Sequence, residues 1–186
     1  MKYVDIHSHL HFDRYDADRG EVLARLREED VATVSVGIDT KTCIEEVKLA
    51  EENERVWACI GLHPDDSTER FGDHRELFDE LVKSLRVVSI GECGLDYSRL
   101  GEGGESKKRL QYENFEAQID FAVTHNLPVM IHSRDASEDT LGVLESKKRE
   151  YGDKLRGNAH FFTQSVENAR RYFDIDFTIS FTGVIT

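Results

Sequence analysis

Seven short runs rich in β-branched and aromatic residues alternate with six longer amphipathic stretches, and that alternation restricts the fold more than any other feature of the chain. The strand-like runs cover 3–7, 31–38, 56–62, 87–92, 128–132, 157–162 and 176–181. The helix-like stretches lie near 20–30, 41–54, 73–86, 107–126, 138–150 and 165–173. Within 107–126, Leu110, Phe115, Ile119 and Ala122 recur at helical spacing, as Leu77, Phe78, Leu81, Val82 and Leu85 do within 73–86. Strands linked through helices lie parallel and are joined by right-handed crossovers. Seven of them exceed a flavodoxin-like sheet, and the first run lacks a glycine-rich nucleotide fingerprint. The expected class is α/β: a (β/α) barrel of TIM type, with seven strands visible and the eighth β/α unit missing, forming one domain over 1–186. A full barrel takes about 250 residues. One that lacks a strand has two open edges, so the stop at Phe181-Thr182-Gly183-Val184-Ile185-Thr186 reads as a C-terminal truncation. Gly101-Glu102-Gly103-Gly104-Glu105-Ser106 reads as a mobile loop above the fourth strand.

Charge and composition narrow the functional classes. A net charge of −13 argues against a basic surface that coats nucleic acid. It leaves room for a cleft in which cations and a few arginines grip one or two phosphates. No apolar run approaches the ~20 residues of a membrane span. The start, Met1-Lys2-Tyr3-Val4-Asp5, has no signal-peptide core, so a cytoplasmic protein is expected. Cys43, Cys59 and Cys93 form no CxxC pair and read as reduced, buried thiols.

Barrel chemistry gathers at the C-terminal ends of the strands, and histidines and acids fall there. His7 and His9 end the first run two residues apart, and residues i and i+2 of a strand share a face, so both rings aim at one point. Two neutral imidazoles so placed can hold a divalent transition metal. His63 follows the third run, Glu92 ends the fourth, His132 the fifth and His160 the sixth. One such residue alone is ordinarily a satisfied side chain at a loop edge. Together they point to a metal centre in which Glu92 can bridge two cations and the imidazoles complete their coordination. Two metals about 3.5–4 Å apart can activate a water and stabilise both oxygens of a phosphodiester displacement. Arg134 can fork onto a phosphate or pair with Asp135 or Glu138. His11 and Asp13 read as a solvated loop, His74 as surface, His125 as a helix C-terminal cap and Glu51-Glu52-Asn53-Glu54 as a solvated helix face. Cys93 faces away from its neighbour Glu92 and reads as a buried thiol.

These residues resemble the TatD-type metal-dependent deoxyribonucleases of the amidohydrolase-like barrels. The matching pieces are Asp5-Ile6-His7-Ser8-His9, Gly61-Leu62-His63-Pro64 and Gly91-Glu92-Cys93-Gly94-Leu95-Asp96-Tyr97. Gln111-Tyr112-Glu113-Asn114-Phe115-Glu116-Ala117-Gln118, Pro128-Val129-Met130-Ile131-His132-Ser133-Arg134-Asp135-Ala136 and the strand end at His160 follow in family order. The resemblance implies that His7, His9 and Glu92 hold a first metal, and that Glu92 bridges to a second held by His132 and His160. Glu92 and His132 would carry the catalysis, with His63 and Arg134 facing the substrate phosphates. It further implies DNA as substrate, trimmed from the 3′ end, and two divalent metal ions (Zn2+, Mn2+ or Mg2+) as cofactors; imidazole-rich ligands favour Zn2+ or Mn2+. The chain departs from the family pattern twice. No Thr-Asp-Ser-Pro-Tyr segment is present, the last acids being Asp174 and Asp176, and Gln164 stands where the family tends to carry Gly after the sixth strand. Two alternatives stay open: an ester hydrolase acting on charged tRNA through the same site, and an incomplete barrel that binds metal without turnover.

Overall fold

The computed structural model describes residues 1–66 and 68–185. Its strands are β1 (Tyr3–Ser8), β2 (Val31–Val36), β3 (Val56–Ile60), β4 (Val87–Asp96), β5 (Val129–Arg134), β6 (Gly157–Ala159) and β7 (Phe177–Ile179). The helices between them are α1 (Arg19–Glu28), α2 (Thr40–Glu52), α3 (Arg75–Leu81), α4 (Gly104–Thr124), α5 (Ser137–Tyr151) and α6 (Val166–Asp174). All seven strands are parallel, in the order β1-β2-β3-β4-β5-β6-β7. In a flat sheet β1 and β6 would stand about 24 Å apart. Instead the His7 ring, on β1, stacks on the His160 ring, one residue beyond β6, with centroids 3.9 Å apart. The sheet is therefore curled into an open barrel, as expected. Among the described residues β1 pairs only with β2 and β7 only with β6.

Alternation along the strands separates two apolar layers. Ala58 and Ile60 of β3 and Val129 and Ile131 of β5 pack outward with Phe115, Ile119 and Ala122 of α4 in the main core. Cys59 and Met130, one residue along, point the other way and form a small inner cluster with Val36, Ile6 and Val34. All three cysteines are buried and free. No helix among the described residues is long and apolar enough to cross a membrane.

Four segments differ most from the sequence expectations. The stretch 73–86 is a 3₁₀ turn over Phe71–His74 followed by the short α3, and Leu85, assigned to its apolar face, is 96% exposed. Ser84 N–H and Val87 N–H close turns there that bring the chain into β4. The proposed mobile loop at 101–106 is half helix: Gly103, with φ 78, is the N-cap of α4, and Gly104, Glu105 and Ser106 form its first turn. β4 runs four residues beyond Glu92, because the paired stretch Cys93–Asp96 keeps its ladder with Ile131–Arg134 of β5. β6 stops at Ala159, short of 162, where Phe161 takes a left-handed backbone with φ 48.

Candidate metal centre

Glu92 is 3% exposed and stands on β4, the middle strand of the seven. Its two oxygens serve opposite flanks. Oε1 meets His132 Nδ1 at 2.7 Å, His160 Nε2 in very close contact, and His63 Nε2 at 3.7 Å. Oε2 meets His7 Nε2 at 3.3 Å and His9 Nε2 at 3.9 Å. The structure thus brings together His7, His9, His63, Glu92, His132 and His160, and all six line one cleft of about 770 Å³. Arg134 lies on the same cleft, exposed. The donors group into His7, Glu92 and His160 on one side and His63, Glu92 and His132 on the other. The His160 ring stacks on His7 at 3.9 Å, while its Nε2 shares Glu92 Oε1 with His132, so it touches both groups.

The backbone aims these side chains by breaking its own ladders. Register shifts fall between Asp5 and Ser8, around His7, and between Ile90 and Cys93, around Glu92; such irregularities re-aim a side chain next to a site. Close approach of β4 to β5 demands glycine at Gly94: with φ 146, a Cβ there would lie 1.9 Å from the His132 carbonyl oxygen.

The ionisable groups of the cluster perturb one another. Burial works to raise the Glu92 carboxyl, but hydrogen bonds from His132, His160 and His7 outweigh it and hold it well below the usual range. Burial and the neighbouring His7 lower His9 to about 4, and burial lowers His160. Burial also acts to lower His132, yet its bonds to Asp96 and Glu92 prevail and raise it to about 9. His9 Nδ1 donates to the Val36 carbonyl at 2.9 Å, so its Nε2 keeps a lone pair for a cation. His7 Nε2 and His9 Nε2 lie 3.1 Å apart, and His7 Nδ1 is buried without a hydrogen-bond partner. Ring nitrogens and carboxylate oxygens crowded to this degree fit a divalent cation between them, by the chemistry of the donor set.

The residues around the donors were less legible. Asp96 Oδ2 lies 2.9 Å from His132 Nε2 and fixes that ring from behind, as carboxylates behind metal-binding histidines do. Its signal was parity: Glu92, Gly94 and Asp96 share a face once the strand is known to continue. His11 is not a solvated loop residue. Its Nδ1 donates to Glu46 Oε1 at 2.5 Å, and Ser35 Oγ donates to the same oxygen at 2.7 Å. Glu46 is fully buried, and the network anchors the loop after β1. Three amides on α4 clamp backbone. Gln118 accepts from Leu62 N–H and donates to Leu62 C=O, Gln111 does the same for Asp96, and Asn114 accepts from Phe71 N–H and donates to Glu69 C=O. His125 is the C-cap residue of α4, as expected, and His74 lies 3.5 Å from Glu69.

A curled parallel sheet whose strand ends turn five imidazoles onto one buried carboxylate defines a metal-dependent hydrolase of the barrel class. The family model "TatD related DNase" matches residues 4–186, and the chain belongs to that family. It is 38% identical over 183 residues to the uncharacterized metal-dependent hydrolase YabD of Bacillus subtilis, covering 98% of this chain and 69% of the relative. It is 33% identical over 181 residues to the 3'-5' ssDNA/RNA exonuclease TatD of Shigella flexneri, covering 96% and 66%. The solved structure of the TatD homolog YjjV from Escherichia coli superposes with a TM-score of 0.82 at 23% identity, over 95% of this chain and 66% of that one. The chain thus spans about two thirds of the length of these relatives.

Proposed function

We propose that the chain hydrolyses DNA phosphodiester bonds, trimming a strand from its 3′ end, with two divalent cations (Zn2+, Mn2+ or Mg2+) held by His7, His9, Glu92, His132 and His160, and with His63 and Arg134 facing the substrate phosphates. The observation that carries this reading is the division of the Glu92 carboxylate, Oε2 toward the β1 histidines and Oε1 toward His132 and His160. Bound there, cations would supply a water of lowered pKa and a countercharge for the phosphate. Asp96 orients His132, and the His11–Glu46–Ser35 network steadies the loop that carries His9.

Arg134 supports a phosphate ligand. Glu138, its expected competitor, pairs instead with Arg171 at 2.8 Å, and among the described residues the Arg134 guanidinium has no ion-pair partner. A free fork at the mouth of a cleft in a chain of net charge −13 favours an anionic substrate at that point. The nuclease name of the Shigella relative agrees. The test is an end-labelled DNA oligonucleotide incubated with each of the three metals and with a chelator. Metal-dependent shortening from the 3′ end is the expected result. Metal binding without cleavage would overturn the hydrolytic reading in favour of a non-catalytic metal-binding barrel.

A further inference from the structure

Phe161 is a half-exposed aromatic side chain at the edge of the metal centre. It follows His160 directly, lines the same cleft, and is 46% exposed. Its backbone sits at φ 48, a region a phenylalanine adopts at a cost of about 1–3 kcal/mol. Phe12, the other phenylalanine of the cleft, is occupied: it stacks on His9 at 4.8 Å, and the Arg14 guanidinium lies 4.8 Å from its ring centroid. Among the described residues no ring and no cation covers Phe161. The same cleft is lined by Arg134, suited to an anion, and by the Glu92 centre, suited to cations.

We infer that Phe161 is a stacking platform for the base of the nucleotide being removed. A ligand that offers an anion to Arg134 and an apolar π-face to a ring on the same cleft is a nucleotide, and every base has such a face, so recognition would tolerate sequence. This inference deepens the nucleic-acid reading proposed above and rests on it.

The test uses the full chain with Zn2+ and a single-stranded oligonucleotide blocked against cleavage by terminal phosphorothioate linkages. A 5′ fluorescein reports binding by anisotropy, and a 3′-terminal 2-aminopurine reports stacking by quenching. A matched oligonucleotide carries an abasic 3′ terminus. The wild-type chain is expected to quench the 2-aminopurine and to bind the abasic strand about 5- to 100-fold more weakly, the range of one base–aromatic stack. Phe161→Ala should lose the quenching and bind both strands with the affinity the wild type shows for the abasic one; Phe161→Tyr should restore the preference. If the wild type binds both strands equally, stacking is refuted while the nucleic-acid reading stands. If neither strand binds, both fall.

Discussion

Gln118→Leu removes a hydrogen-bonding clamp while leaving the shape of the core nearly unchanged, so its cost can be worked from the structure. Gln118 is 1% exposed; its Oε1 accepts from Leu62 N–H at 2.8 Å and its Nε2 donates to Leu62 C=O at 3.2 Å. Leu62 is itself 1% exposed, so water cannot replace either bond. Each orphaned buried backbone group costs about 1–3 kcal/mol. Leucine fills a similar volume, so little is added for a cavity, and its greater apolarity returns about 1–2 kcal/mol. The net loss is about 1–4 kcal/mol, or roughly 2–16 °C in Tm for a chain of this size. Leu62 precedes His63, whose Nε2 lies 3.3 Å from His132 Nδ1, so the affinity of the site for Zn2+ should fall with the stability. Urea unfolding gives the first quantity and isothermal titration with Zn2+ the second. An unfolding midpoint equal to wild type would refute the claim that this amide is the partner of Leu62.

Four further outcomes are expected. Glu92→Ala should abolish turnover and strip metal from the chain; wild-type rate with wild-type metal content by mass spectrometry would contradict a bridging role for that carboxylate. Arg134→Ala should raise KM for an oligonucleotide about 10-fold or more, the worth of a charge-assisted contact, and an unchanged KM would remove the guanidinium from the phosphate path. Glu46→Ala leaves His11 N–H, His11 Nδ1 and Ser35 Oγ without their shared acceptor, and chemical denaturation should register a loss of about 2–5 kcal/mol. A cleft that grips one or two phosphates should give a slope of log affinity against log salt of about −0.7 to −1.4 for a single strand; a slope near −5 would instead mean that nucleic acid coats the surface.

How much of this was legible in the sequence depended on how local the cause is. The strand–helix alternation predicted every strand, because apolar periodicity is written residue by residue. The ends were less visible. The apolar run of 87–92 ends at Glu92, but pairing with β5 extends β4 and carries Asp96 to His132. His11 looked solvated because its neighbours Asp13, Asp16 and Asp18 are polar; its partner Glu46 lies 35 positions away on α2, a distance no local pattern spans. The clamping amides of α4 were visible as a motif but not as clamps, since their backbone partners, such as Leu62 for Gln118, are 56 positions distant.

The position of Glu92 follows from the topology. Among seven strands in sequential order, β4 alone has three neighbours on either side, and curling the sheet brings both flanks into its view. A carboxylate has two oxygens and can answer two flanks at once. Here Oε2 takes His7 from β1 and Oε1 takes His132 from β5, with His160, just past β6, reaching across to join the stack on His7. The same carboxylate on β2 or β6 would face one flank from close by and the other from across the barrel, and could serve only one set of imidazoles. The register shift that brings Glu92 forward costs β4 part of its ladder with β5 between Ile90 and Cys93. The strand tolerates the loss because Ile90 N–H finds the Pro128 carbonyl and the ladder resumes at Cys93. The two-sided site is therefore a property of where the carboxylate stands in the strand order, and the interruption of the ladder is what lets it face both ways.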